Sequence, residues 1–538
     1  MSQIWSLRDK GCRKYKNQEK IANCMPSCLQ GNRQHVFYHG KMDGDCRLMV
    51  TFAAEKSKMK VNDANNGVDG LLSMIRDGRP MTFSQQLWLT AQLSFPAMVA
   101  QLSSIVMQYI DATMVGSLGA GASASIGLVS TTTWLFSGLC AAAATGFSVQ
   151  VAHSIGAGNM ENAKAVLRQS IISVAMTGML MALIGVSISG SLPVWLGGDS
   201  SIHHDSSSYF FIYSLALPVL QFTFLGGSML RCSGNMKVPS MLNVLMCVLD
   251  VVFNYFLIFP STDIPIFGVS VHVPRAGLGV EGAALGTLLA EVVVAVLMMR
   301  YLCLRSPMLK LTGSKGSFIP KKSTLKKAAH IGLPMGLEHA VICGAQIMTT
   351  VIVAPLGIFA IAANSFAITA ESLCYMPGYG ISDAATTLVG QSIGARRKDL
   401  TKRFAHITVF LGMIVMGVMG VAMYVAAPQI IGIMTPVEEI RELGVMALRI
   451  EAFAEPMFAA SIVAYGVFVG AGNTLIPSLM NFFSIWAVRL TLAAALAPSL
   501  GLKGVWVAMC IELCFRGLIF LIRLERGKWM KAVSTSHD

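Results

Sequence analysis

Long apolar runs that follow one another through most of the chain constrain its fold more than any other feature. Each is long enough to cross the ~30 Å hydrocarbon core of a bilayer as a helix of about 20 residues. Twelve runs span about 87–116, 122–151, 166–190, 208–232, 239–259, 280–303, 327–354, 358–389, 404–430, 444–469, 475–498 and 504–522. Lipid offers the backbone no hydrogen-bonding partners, and the runs are too long for barrel strands. The sequence therefore predicts an all-α integral membrane protein with twelve transmembrane helices.

The composition excludes an arrangement of soluble domains. Residues of the set AVILMFWYC make up 54% of the 538 residues, and charged residues only 13%. Soluble domains carry roughly 25% charged residues. The net charge of +13 follows the loops and forms no basic patch with aromatic residues, so we expect no nucleic-acid partner. Eight cysteines lie in or beside apolar runs, where cysteine packs as a small hydrophobic residue: Cys140, Cys232, Cys247, Cys303, Cys343, Cys374, Cys510 and Cys514.

Lysine and arginine are concentrated in alternate loops. The segments after the second, fourth, sixth and eighth runs are basic, whereas 117–121 and 191–207 contain neither residue. Cytoplasmic loops of membrane proteins carry an excess of positive charge. The alternation therefore predicts a multi-pass protein with both termini in the cytoplasm.

A second copy of the first six helices follows at a fixed offset of 238 residues. Pro96 recurs as Pro334, SIGA at 154–157 recurs at 392–395, and GNMKVPSMLN at 234–243 recurs as GNTLIPSLMN at 472–481. Six is an even number, so both copies enter and leave the membrane on the same side, and the repeat is parallel. The sequence predicts two six-helix lobes, at 81–303 and 327–524. A basic linker, 304–326, joins them, and a cytoplasmic tail, 525–538, follows the second lobe.

Residues 1–80 differ from the rest of the chain. They contain 14 Lys and Arg against 8 Asp and Glu, without sustained apolar periodicity. We predict a disordered basic tail, or upstream sequence from an over-long gene start before Met81. A zinc site is a weaker interpretation, because the spacing of the ligand-type residues is loose. These residues are Cys12, Cys24, Cys28, His35 and Cys46.

Two carboxylates inside apolar runs predict a cation site in the first lobe. Asp111 and Asp250 are costly in a membrane, and such residues are functional candidates. Asn254 lies one helical turn after Asp250, and Thr287 adds a hydroxyl from the next run. At 1.5 Å per residue, all four side chains lie roughly 8–14 Å below the non-cytoplasmic ends of three helices. Their oxygens suit Na⁺, and the carboxylates suit a proton. The alternative is buried polar residues that neighbouring helices satisfy.

The second lobe lacks this layer of acids, because the repeat partners of Asp111 and Asp250 are Thr349 and Val488. It contains four membrane-embedded acids of its own, namely Glu338, Glu371, Glu451 and Glu455. For each of them, contact with a substrate and a structural ion pair are both open interpretations. Arg489 is an available partner. Glu512 and Arg516 are spaced i, i+4, and we predict that they pair with each other.

An ordered set of motifs resembles a known family. The motifs are QYIDATMVGSLGAGASASIGL at 108–128, then GAGNMENA, LRCSGNMKVPSMLN, LDVVFNYFLIF, GVEGAALGTLLAE, IGLPMGLE and YMPGYGISDAATTLVGQSIGA. Over about 85–530 the chain is similar to the multidrug and toxic-compound extrusion (MATE) antiporters. The resemblance implies a V-shaped monomer with twelve helices in a bacterial inner membrane. It also implies exchange of H⁺ or Na⁺ for small organic, often cationic compounds, without a cofactor.

The resemblance bears on the individual site residues. In the family, the position of Asp250 is commonly Asn and that of Asn254 commonly Asp, so the pair looks exchanged here. Glu338, Glu371 and Glu455 are candidates for the substrate cavity.

Two other classes of protein compete with the antiporter. A flippase for lipid-linked saccharides shares the superfamily architecture, but anionic diphosphate head groups require a more cationic cleft than these embedded acids provide. An enzyme would need a catalytic signature, and we find no H-E-x-x-H, G-x-S-x-G or P-loop motif. We therefore expect a transporter.

Overall fold

A computed structural model describes residues 67–266, 269–313 and 316–533. The tail and zinc-pattern predictions for residues 1–66 lie outside these ranges. The helices are α1 (Val68–Arg76), α2 (Phe83–Gly116), α3 (Ala120–Gly156), α4 (Met160–Ser189), α5 (Leu192–Trp195), α6 (His203–Cys232), α7 (Lys237–Ile258), α8 (Gly279–Arg300), α9 (Lys322–Val353), α10 (Ile358–Gly394), α11 (Lys398–Met434), α12 (Glu438–Glu451), α13 (Glu455–Gly470), α14 (Leu475–Phe483), α15 (Thr491–Leu500) and α16 (Leu502–Arg526). Single π-helical turns continue α8 over Tyr301–Arg305 and join α14 to α15 over Ser484–Leu490.

The described residues contain eleven helical segments that are long and apolar enough to cross a membrane. The pair α12 and α13, which meet at an angle of 60°, passes the same criteria when the two helices are taken together. The predicted all-α membrane fold is therefore confirmed, with eleven spans, or twelve when this bent pair counts as one span. The tenth apolar run is not one straight helix, because α13 restarts at Glu455 with Pro456 in its first turn. Proline has no backbone N–H to continue a helix from the preceding turn.

The internal repeat is visible where α3 and α10 cross. Gly156 at the end of α3 lies against the backbone carbonyl of Gln391, and Gly394 at the end of α10 lies against that of His153. The two contacts are related by the 238-residue offset. A Cβ atom on either glycine would overlap the facing carbonyl. The two contacts are therefore equivalent in the repeat, and the predicted two-lobed repeat is confirmed.

The predicted disordered tail extends too far, because α1 (Val68–Arg76) lies within it. Leu71, Leu72 and Ile75 are fully buried, and they pack against residues of α2, α10 and α11. Their spacing places them on one face of a helix. The interpretation of Met81 as the true start of the chain would remove this packed helix.

Two further local features differ from the sequence-based expectation. Between α7 and α8, β1 (Pro260–Ile266) and β2 (Val269–Ala276) pair as an antiparallel hairpin, with Pro260 opposite Ala276. The predicted C-terminal tail contains the end of α16 and a 3₁₀ helix over Lys528–Val533. In it, Trp529 is buried against Phe468. The last lobe therefore packs beyond its predicted end at residue 524.

Candidate functional site

Close packing of α7 on α8 builds the first-lobe site. Gly282 and Gly286 lie one turn apart on α8 and face α7. A Cβ on Gly282 would overlap the backbone of Leu257, and one on Gly286 would overlap the side chain of Asn254. Small residues at this spacing let membrane helices approach closely. The approach brings the polar face of α7 against Thr287.

Asn254 joins the two candidate carboxylates. Its Nδ2 atom donates to Oδ1 of Asp111 at 2.9 Å and to Oδ2 of Asp250 at 3.1 Å. The Thr287 hydroxyl lies beside the Asp250 carboxylate. The structure thus brings together all four predicted residues, from α2, α7 and α8. The carboxylate and the amide on α7 are exchanged relative to the common family pattern, yet both Asp250 and Asn254 lie within reach of Asp111.

Two oxygens at this site have unused bonding capacity. Asp250 and Asn254 are 0% and 1% exposed, whereas Asp111 and Thr287 are half-buried. Among the described residues, neither Oδ1 of Asp250 nor Oδ1 of Asn254 has a hydrogen-bond partner. Buried polar atoms without a partner are costly. A hard cation takes oxygen ligands of this kind, so the donor set fits Na⁺, and its carboxylates also fit a proton.

Two groups beside this layer were not predicted from the sequence. Glu291 lies one turn after Thr287 on α8, is 3% exposed, and has no partner for Oε2 among the described residues. It is close enough to Asp250 for their charges to interact. Tyr209 of α6 is close enough to Asp111 and Asp250 to interact with their charges. The i, i+4 spacing of Thr287 and Glu291 was a usable signal for the glutamate, whereas nothing in the sequence marks the tyrosine.

Glu338 is held by two donors in the second lobe. Ser478 donates to its Oε2 atom at 2.7 Å, and Asn481 donates to Oε1. Both donors belong to α14, so Glu338 fixes α9 against that helix. The carboxylate is buried. Contact with a substrate would therefore require these helices to move apart.

The other second-lobe glutamates form a buried group at the break between α12 and α13. Glu371 of α10 interacts electrostatically with Glu451 and Glu455, which end α12 and begin α13. All three side chains are buried. In the described part of the chain, neither carboxylate oxygen of Glu451 has a hydrogen-bond partner, and the Cys374 thiol lies beside the Glu455 carboxylate. The substrate-cavity candidates Glu371 and Glu455 thus lie inside the lobe.

An ion-pair network stands next to this group. Glu512 lies 3.1 Å from Arg516 on its own helix and 2.7 Å from Arg489. Ser484 also donates to Glu512 at 2.7 Å. The predicted Glu512–Arg516 pair is confirmed. Arg489 pairs with Glu512 and joins the lobe's π-helical turn to α16.

The fold and the site together define a class of protein. Two repeated helical lobes with ionisable groups buried within membrane-spanning helices are the construction of a multi-pass membrane transporter. The MatE family profile matches residues 96–256 and 334–494, once in each lobe and at the offset of the internal repeat. The chain belongs to the MatE family.

Curated relatives agree with this family. The chain is 26% identical over 442 residues to a probable multidrug resistance protein NorM of Thermotoga maritima, covering 82% of this chain and 92% of the relative. It is 24% identical over 416 residues to a probable multidrug resistance protein YoeA of Bacillus subtilis, covering 77% and 88%.

Solved structures share the fold. A MOP superfamily transporter of Pyrococcus furiosus superposes with a TM-score of 0.76 at 20% identity, covering 84% of this chain and 97% of that one. A multidrug resistance MATE transporter in an outward-facing conformation gives 0.75 at 21% identity, covering 82% and 97%. At these identities the likeness concerns the fold alone.

Proposed function

We propose that this protein is a multidrug efflux transporter that exchanges H⁺ or Na⁺ for small organic, often cationic compounds by alternating access. The observation that carries the proposal is the Asn254 bridge between Asp111 and Asp250, with two buried oxygens left free beside it. The multidrug names of the Thermotoga and Bacillus relatives support the substrate class.

The charge of the site explains how the coupling cation and the substrate would exclude each other. Asp111, Asp250, the Asn254 carbonyl and Thr287 would hold the coupling cation, which supplies one positive charge. The charge of the carboxylates changes with occupancy, so the site favours a cationic substrate when it is empty and disfavours it when it is filled. Coupling between two ligands needs such a difference in binding free energy. Because Thr349 and Val488 replace both acids in the repeat, coupling belongs to the first lobe.

The second lobe would contribute to substrate choice. Glu338, Glu371 and Glu455 are buried acids that a separation of helices would expose to a cationic compound. Their negative charge favours cations over anionic diphosphates. This argues for a drug exporter over the flippase for lipid-linked saccharides, which is the alternative.

The topology completes the proposal. We place the protein in a bacterial inner membrane as a monomer, with both termini and the 304–326 linker in the cytoplasm, because the basic loops lie on that side.

Reconstitution tests the proposal. The full chain is placed in liposomes, a pH gradient or a Na⁺ gradient is imposed, and movement of a fluorescent cationic dye is followed. Dye export driven by one of the two gradients is the expected result and identifies the coupling ion. Dye movement that ignores both gradients would contradict the antiporter.

A further inference from the structure

The short helix α1 (Val68–Arg76) lies across the seam between the two lobes. Its buried residues Leu71, Leu72 and Ile75 share one apolar cluster with residues of both lobes. From the first lobe the cluster takes Leu89, Leu93 and Met236, and from the second lobe Ala384, Leu388, Leu400 and Phe404. The helix therefore packs on both lobes with the same face.

Individual contacts on each side of the seam support this placement. Leu72 packs directly on Gly234, in the turn between α6 and α7 of the first lobe. After the helix, the backbone carbonyl of Arg79 accepts a hydrogen bond of 2.9 Å from Arg397, at the start of α11 in the second lobe. Arg76 contacts the Met308 sulfur at 3.3 Å and so reaches the linker between the lobes. The segment is tied to three separate parts of the molecule.

The lobes are also joined directly beneath α1. Gln391 of α10 donates to the carbonyl of Cys232 at the end of α6, at 2.8 Å. Thr387 donates to the carbonyl of Arg231 at 3.1 Å, and the Arg231 guanidinium lies 3.6 Å from Asp383. These polar contacts lie in the seam that α1 covers, beside the close crossing of α3 and α10. Cys232 is 3% exposed there.

We propose that α1 is a strap that holds the two lobes together at the basic ends of their helices. The lobes part at this seam only when α1 leaves one of them. If the lobes part while α1 stays bound to both, the apolar cluster is pulled apart. If α1 is released, its three apolar side chains are exposed to water, which is unfavourable. The strap therefore shifts the balance of conformations toward the closed seam.

An effect of α1 on export rests on the proposed function, but an effect of α1 on closure of the seam does not. Labelling of Cys232 by a thiol reagent measures opening of the seam without any substrate. The protein is the full chain in detergent, with every other cysteine replaced by serine. A second background keeps only Cys140, which is 1% exposed and lies in the first lobe's core.

Leu72→Ala is the test variant, and Asp69→Ala, on the exposed side of the same helix, is the matched control. Leu72→Ala should raise the labelling rate of Cys232 at least tenfold and leave that of Cys140 unchanged. Asp69→Ala should change neither rate. Ile75→Val removes one methylene of the same face and should give a smaller rise at Cys232, so the test does not depend on one variant's folding.

Two results would overturn the strap. An unchanged Cys232 rate in Leu72→Ala and Ile75→Val would show that closure of the seam does not depend on the packing of α1. Equal increases at Cys232 and Cys140 would show that α1 stabilises the whole first lobe rather than the contact between lobes. Neither result depends on whether the protein exports dyes, so the proposed function is tested separately.

Discussion

Asn254 donates a hydrogen bond of 2.9 Å from its amide nitrogen to Oδ1 of Asp111. An ionised carboxylate only accepts hydrogen bonds, so the amide must turn its nitrogen toward Asp111. The same nitrogen reaches Asp250 at 3.1 Å, whereas the amide oxygen packs against Gly286 and has no hydrogen-bond partner among the described residues. One amide thus bridges the two carboxylates.

The exchanged pair on α7 gives the first prediction. Asp250→Asn and Asn254→Asp should each reduce gradient-driven export at least tenfold, because they leave the pair with two amides or two carboxylates. The double variant restores one of each on the same helix face and should recover most of the activity. Initial dye export per reconstituted protein measures all three. The residual activity of the double variant is compared with the product of the residual activities of the two single variants. If the two values are equal, the two positions act independently and not as a pair.

Close packing of α8 gives the second prediction. Gly286→Ala places a methyl group into the Asn254 side chain and should destabilise the protein by about 1–3 kcal/mol, the usual cost of overpacking. Gly127→Ala is the control, since a Cβ there meets nothing within 4 Å. The measurement is the melting temperature of each variant in detergent. Equal effects of the two variants would contradict the close approach of α7 and α8.

Truncation separates α1 from the residues before it. A chain that begins at Gly67 should keep its thermal stability, whereas one that begins at Met81 should lose folded yield. The second chain lacks three fully buried side chains, each of which contributes about 1.5–3 kcal/mol. Size-exclusion profiles after heating compare the two. If both behave as the full chain does, the packing of α1 contributes little to stability.

The second-lobe acids give the fourth prediction. Glu338→Gln keeps the shape of the side chain that Ser478 and Asn481 hold, but removes its charge. We expect a changed range of exported dyes, with the coupling-ion flux per dye unchanged. Resistance profiles and parallel ion-flux measurements read the two effects separately. An unchanged dye range with abolished ion flux would place coupling in the second lobe instead.

Features set by length and hydropathy were predictable from sequence. The spans, the repeat and the depth of Asp111, Asp250, Asn254 and Thr287 follow from the apolar runs and the fixed rise of a helix. Helix rotation does not follow from them. Glu291 was visible as an acid on α8, yet only the packing of α7 and α8 shows that it faces Asp250.

Short elements were not predicted from the sequence, for a different reason. The nine residues of α1 are too few for a secure periodic signal, and their apolar face is explained only by the seam between lobes. The break before Glu455 is a local effect of Pro456 within an apolar run. The hairpin β1–β2 depends on the ends of α7 and α8 meeting. The helix α1 and the hairpin depend on tertiary contacts that a single sequence does not contain, whereas Pro456 was visible in the sequence.

We propose that the charge at Asp111 couples export to the gradient. Asp111→Asn keeps the size of the side chain but holds neither a proton nor the negative charge that attracts a cation. An amide is also less costly than an ionised carboxylate in a membrane, so folding should not suffer. The decisive measurement is the initial rate of dye export under a fixed gradient, normalised to folded protein in the liposomes. We expect Asp111→Asn to fold and to lose gradient-driven export. Export at the parental rate would contradict the account and remove Asp111 from the mechanism.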